Sequence, residues 1–497
     1  MMAGSSRNDF QVLVTAEEAW PAFERAVLGA QRQITAGFRI FDMSTRLRSP
    51  EARAIGESWF DLLAHVLCRG VRVELTVSDF DPVMATDLHE MAWKTVRQGA
   101  ALGEIACVSK DLLRVRAHRH PVVAGAVPWV SFLPAVLKKR RQTLARIRPE
   151  RLARQAIGLH RQALPRLSPV THHHKVAVID DDLLYIGGLD LNRRRYDTAN
   201  HDRPARQTWS DVQLLLRGPE AAAARTHLET LGDVTAGRQR PPDANPGLRR
   251  TLSAPRRMQM PYLSPRTLLN EIEIAHLDAF RTARHLIHIE TQFLRSSRIA
   301  KALARAALKN PTLTALIILP GLPEDVAFEA SDSLDARYGI ALKRRAFARL
   351  RAAFGHRLTV ATPVRPVMAA VETPQTLAGS PLIHVHNKVL VKDDDFAMIG
   401  SANLNGRSMR WDTELAFQTS DTYRVAKIRD KLIAHWWQTP PPVEARRPEA
   451  LQPWWDREIR RNALRRAENR TGFLVPHDTD AGRDIERPLP GVTEDIV

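Results

Sequence analysis

Residues 173–195 read HHKVAVIDDDLLYIGGLDLNRRR, and residues 386–407 read HNKVLVKDDDFAMIGSANLNGR. Matched positions are separated by 213 residues throughout, from His173/His386 and Lys175/Lys388 through Asp180/Asp393 and Gly187/Gly400 to Asn192/Asn405. An ungapped match of this kind marks an internal duplication, and it decides the architecture. In each copy an apolar β run carries His and Lys two residues apart, so both side chains leave the strand on one face. The acidic triplets Asp180–Asp182 and Asp393–Asp395 predict a turn. A second apolar strand then returns to Gly187-Gly188 or Gly400-Ser401, small residues that let a phosphate come close to the backbone.

The flanks repeat too. A helix is predicted from Thr15, with Glu17 and Glu18 in its first turn and Trp20, Phe23 and Val27 at helical spacing. Ser264-Pro265 predicts the start of its counterpart, with Leu268, Ile272, Ala275 and Ala279 on one face. Each helix leads to a strand (34–41 and 286–293), a further helix, and an apolar β run (71–77 and 313–319). Alternating helices and strands predict an α/β sandwich in each half. The expected organisation is a first half over 10–235, a Pro/Gly/Arg-rich linker over 236–260, a second half over 261–440 and an extension over 441–497, with a helix near 454–469.

The repeated residues suit phosphodiester chemistry. The charge on a phosphodiester repels nucleophiles, and its alkoxide leaves poorly. One imidazole can attack phosphorus while a second protonates the departing oxygen. Lys175 and Lys388 supply fixed positive charge for the non-bridging oxygens. A nucleophilic imidazole needs an acceptor on its other ring nitrogen, and Asp211 and Glu414, each heading an apolar strand after its motif, are the candidates. The alternative for these two is a strand-start acid on a solvated edge. No metal and no cofactor are called for. In the run His172-His173-His174 neighbouring side chains point to opposite faces, and no Cys or carboxylate stands at ligand spacing.

These residues resemble the phospholipase D superfamily, whose signature is a pair of His-x-Lys-x4-Asp motifs followed by Gly-Gly/Ser and Asn. Residues 171–180, 187–198 and 207–212 look like the first catalytic half of the eukaryotic and plant-type enzymes. Residues 289–293 (IETQF) and 399–417 are similar to parts of their second half. The resemblance implies a pseudo-twofold pair of α/β sandwich domains with one active site at their interface, and a ping-pong reaction through phosphohistidine. It implies His173 as nucleophile and His386 as general acid, an order the sequence alone leaves open. It implies Gly188, Asp190, Ser401 and Asn403 as phosphate-binding residues, Asp190 departing from the usual Asn. Asp180 and Asp393 complete the catalytic signature as holders of the turn that positions each strand.

The chain has 73 Lys+Arg against 55 Asp+Glu, a net charge of +18, which suits a polyanionic partner or reflects a bias toward Arg. Cys68 and Cys107 form no disulfide framework. No secretory signal or spanning segment is evident, so the expected setting is cytoplasmic, peripheral on the inner membrane face. The apolar run Pro121–Leu137 with Lys138 to Arg141 behind it reads equally as an interfacial segment or a buried connection. The expected activity is that of a phospholipase D acting on phospholipid at a membrane surface, as a monomer, with water or an alcohol as acceptor. A cardiolipin synthase-like phosphatidyltransferase is the alternative. A nuclease is disfavoured by the lipid-type 187–198 segment and the unequal halves.

Overall fold

The computed structural model describes residues 9–109, 111–147, 164–329, 333–490 and 492–496. The first eight residues, read above for a secretory signal, lie outside them. The first sheet contains β1 (Phe10–Val14), β2 (Gln33–Phe38), β3 (Arg72–Asp79), β4 (Leu113–Arg119), β5 (Val176–Ile179), β6 (Leu183–Gly187) and β7 (Val212–Arg217), ordered β1-β7-β6-β5-β2-β3-β4. Then come β8 (Leu248–Ala254), β9 (Arg266–Asn270), β10 (Leu286–Thr291), β11 (Thr314–Ile318), β12 (Leu358–Pro363), the short ribbon of β13 (Thr376–Leu377) with β14 (Ser380–Pro381), β15 (Lys388–Lys392), β16 (Phe396–Gly400), β17 (Glu414–Thr419) and β18 (Leu474–Pro476). The second sheet is ordered β18-β12-β11-β10-β15-β16-β17-β8-β9. Its run from β8 to β12 repeats the first sheet strand for strand, with β9 and β18 added at the edges. The duplication read in one motif thus extends through a whole α/β half. In both sheets three strands run parallel (β2, β3, β4 and β10, β11, β12) and the motif hairpins are antiparallel.

The motif strands are apolar on both faces because both faces are covered. Ala177 and Ile179 join the core beneath the first half's own helices, while Val176 and Val178 join a different core. That second core also holds Val389, Val391, Ile399, Leu415 and Phe417 of the other sheet, so one apolar layer joins the two halves.

Two expectations change. The second-half helix begins at Glu271, not at Ser264-Pro265. Residues 266–270 instead form β9 along β8, and Leu268 and Leu269 pack on Leu252, Leu231 and Val234. Pairing with an available sheet edge overrides the local capping signal. The segment expected as linker contains β8, which pairs with β17. In the first half, the run Pro121–Leu137 lies largely within a helix, Ala126–Arg146. The tail helix spans Pro448–Leu464, and the extension then supplies β18 to the second sheet. No helix among the described residues is long and apolar enough to cross a membrane.

Candidate active site

Each motif histidine is held by backbone of the opposite half. The His173 N–H donates to the Thr413 carbonyl at 2.8 Å, and the Thr413 N–H donates to Thr171 at 3.0 Å. The mirror arrangement has the His386 N–H donating to Ser210 and the Ser210 N–H to His384, both at 2.8 Å. One residue beyond Thr413 and Ser210 stand Glu414 and Asp211. The carboxylates are therefore exchanged between halves: His173 Nδ1 lies 3.1 Å from Glu414 Oε2, and His386 Nδ1 lies 2.6 Å from Asp211 Oδ2.

The two imidazoles are not equivalent. His173 Nδ1 is also 3.1 Å from the Ser401 carbonyl oxygen, which can only accept, so Nδ1 carries the hydrogen and Nε2 keeps its lone pair. His386 has the shorter, single bond to a carboxylate, against the Trp209 ring at 4.5 Å. Such a pair favours the protonated ring when charge develops.

Lys175 and Lys388 are buried, and each donates to the carbonyl of the motif histidine two residues before it, Lys175 at 2.6 Å. Burial dominates the titration of the whole cluster. It pushes the Glu414 carboxyl up to about 8 and the Asp211 carboxyl up to about 7, and brings the Lys388 ammonium down to about 7. Both imidazoles are driven well below their usual range, first by burial and then by Lys175 and Lys388, which act on both rings, with Arg39 adding to the effect on His173 and Arg195 to that on His386. Burial in this centre thus disfavours the charged forms.

The remaining expected site residues behave differently. Asp180 and Asp393 stay out of the centre. Asp180 accepts the backbone N–H groups of Gln31, Arg32 and Gln33, and Asp393 those of Arg284, His285 and Leu286. Each pins the start of the neighbouring strand from a left-handed backbone position (φ 51° and 47°) that Asp tolerates. Gly188 and Ser401, expected at the phosphate, have internal hydrogen-bond partners. Their N–H groups bond Val212 and Leu415, and Ser401 Oγ donates to Glu414 at 2.5 Å. A Cβ on Gly188 would lie 2.2 Å from Asp211 Oδ1, so this glycine leaves room for the carboxylate. Asp190 accepts the Ile40 N–H at 2.9 Å; burial lowers the Lys175 ammonium, and the Asp190 carboxylate offsets part of that. Asn403 keeps a buried amide oxygen without a partner.

Sequence reading missed Arg195. Its guanidinium lies 3.6 Å over the Trp209 ring, with Nε and Nη1 buried and lacking a hydrogen-bond partner, and burial lowers it to about 10. Three consecutive arginines hid it: Arg193 is exposed and Arg194 bonds Glu324 at 2.7 Å. His172 and His174 turn away from His173, His172 stacking on His118 at 4.7 Å and His174 meeting His227 at 5.7 Å. Among the described residues no group of three His, Cys, Asp or Glu is arranged to hold a metal ion.

Two α/β halves thus exchange acids across a pair of imidazoles and lysines. Residues 276–437 match the family model described as "Cardiolipin synthase, PLD-like domain". Bovine phospholipase D2 is 31% identical over 180 residues, which are 31% of this chain and 19% of that protein. Arabidopsis phospholipase D beta 2 is 24% identical over 372 residues, 50% of this chain and 40% of that one. The chain thus matches less than half the length of these relatives. The crystal structure of Haemophilus influenzae phosphatidylserine synthase shares the fold, with a TM-score of 0.52 over 91% of this chain and 93% of that one at 12% identity. Over these matched residues the chain is similar to proteins of the phospholipase D superfamily.

Proposed function

We propose that the protein is a phospholipase D that cleaves phospholipids to phosphatidic acid and a free headgroup alcohol through a phosphohistidine on His173. The observation that carries this reading is the Ser401 carbonyl on His173 Nδ1, which leaves Nε2 of a neutral ring as nucleophile. Nε2 attacks phosphorus, the bond to the headgroup oxygen breaks, and His386 gives its Nε2 proton to that oxygen. Neutral His386 then takes a proton from water or an alcohol, whose oxygen attacks phosphorus and breaks the P–N bond. Asp211 and Glu414 stabilise the imidazolium at each stage. Lys175 and Lys388 supply positive charge to the non-bridging oxygens, to which the Asn403 side-chain N–H groups would donate. The phospholipases D among the relatives support hydrolysis. The description of the matching family model supports a second reading, phosphatidyl transfer to a lipid alcohol as in cardiolipin synthesis.

The test uses purified protein with phosphatidylcholine/phosphatidylglycerol vesicles and a primary alcohol, with products read by lipid mass spectrometry. Phosphatidic acid with phosphatidyl-alcohol is the expected result. Cardiolipin formed from phosphatidylglycerol would move the assignment to the synthase reading. No turnover of any phospholipid would overturn both.

A further inference from the structure

The helix Ala126–Arg146 breaks the rule for a surface helix. Its inward stripe is conventional: Trp129, Leu133 and Val136 turn toward the protein, and Trp129 Nε1 donates to the Pro165 carbonyl at 2.9 Å. Its outward stripe, at helical spacing, is Val127, Val130, Pro134 and Leu137, all exposed, with Val127 at 57% and Val130 at 62%. A second apolar element lies beside it. The Gly125 and Val127 N–H groups donate to the Tyr262 and Met260 carbonyls at 2.9 and 3.1 Å, and Met258 and Met260 are 67% and 60% exposed. Large apolar side chains from two separate segments are thus held together in water.

From these observations we infer that the patch is a docking surface for an anionic phospholipid membrane. It rests for its purpose on the phospholipid reading above and names the surface that presents the substrate. Charge selects the occupant. No acidic residue occurs between Asp111 and Glu150 or between Asp243 and Glu271. Lys138 and Arg141 follow the apolar stripe, both exposed, and Arg256 and Arg257 precede Met258. An apolar surface with Lys138, Arg141, Arg256 and Arg257 at its edge matches acyl chains beneath anionic headgroups. Position agrees. At the patch's base Val122 and Leu263 pack with Val170 and Trp411, which stand three residues before His173 and Glu414. A bilayer seated there would lie beside the segments that carry His173 and Glu414.

The test sediments full-length protein carrying His173→Ala, so that lipid is not consumed, with phosphatidylcholine vesicles with and without phosphatidylglycerol. Binding is expected with phosphatidylglycerol, and Val130→Asp with Met260→Asp should weaken it about tenfold or more. With His173 intact, the same pair should leave turnover of a short-chain, monomeric phospholipid and the melting temperature unchanged. Equal vesicle binding by the pair, or none by the parent, would overturn the inference. So would a parent that fails to bind vesicles but forms a dimer that the pair abolishes. If no phospholipid is turned over, the phospholipase reading fails while sedimentation still decides the docking surface.

Discussion

At the residue scale the exchanged carboxylates carry the strongest expectations. Asp211→Asn keeps the shape of the side chain but removes the charge behind His386, and kcat should fall by about 10²- to 10⁴-fold with little change in folding. Steady-state kinetics on a soluble phospholipid checks this, and a loss below tenfold would argue against His386 as the proton carrier. Gly188→Ala should have a similar though smaller effect on kcat, because the new methyl would stand 2.2 Å from Asp211 Oδ1 and displace it from His386. The pH profile follows from the same burial. Lys388 is brought down to about 7, so it loses its charge as pH rises through that value, and kcat/KM should decline on the alkaline side between about pH 7 and 8. The His173 ring is held below its usual range, so it stays neutral and nucleophilic into mildly acidic solution. A profile flat up to about pH 10, where an ordinary lysine titrates, would contradict the burial of Lys388.

At the scale of elements, the third member of each signature motif acts on a strand and not on phosphorus. Asp180 ties the turn after β5 to the start of β2 through three backbone N–H groups. Asp180→Ala orphans those donors and places an alanine at φ 51°, which should cost about 1–3 kcal/mol in urea unfolding while leaving kcat within a few-fold. A hundredfold loss of kcat at undiminished stability would instead place Asp180 in the chemistry. The edge strands show where element-level reading fails. Ser264-Pro265 has the composition of a helix start, yet β8 leaves an open edge and residues 266–270 cover it.

At the scale of the whole molecule, the apolar layer shared by the sheets makes the halves one body. Phe417 is 1% exposed in that layer, its ring 6.0 Å from Phe10 of the other half. Phe417→Ala should cost about 3–5 kcal/mol. Calorimetry should show a single endotherm moved to lower temperature, because neither half keeps its core without the other. Two resolved transitions would mean that the layer does not couple them.

The duplication, the alternation of elements, the two imidazoles with their lysines and both acids at the strand heads were legible in the chain, because each is a local pattern: a repeat, a spacing of two, a polar residue opening an apolar run. Which acid serves which ring was not legible. His173 is 241 residues from Glu414, and His386 is 175 from Asp211. The sequence by itself determined a doubled α/β unit with one histidine, one lysine and one strand-head acid in each copy. Only the tertiary structure decided that the acids are exchanged, that Gly188 makes room for a carboxylate, that Arg195 lies against Trp209, and that the outward face of the Ala126–Arg146 helix is apolar. Each of these depends on what another segment brings alongside, and burial then sets the charge of the groups it encloses.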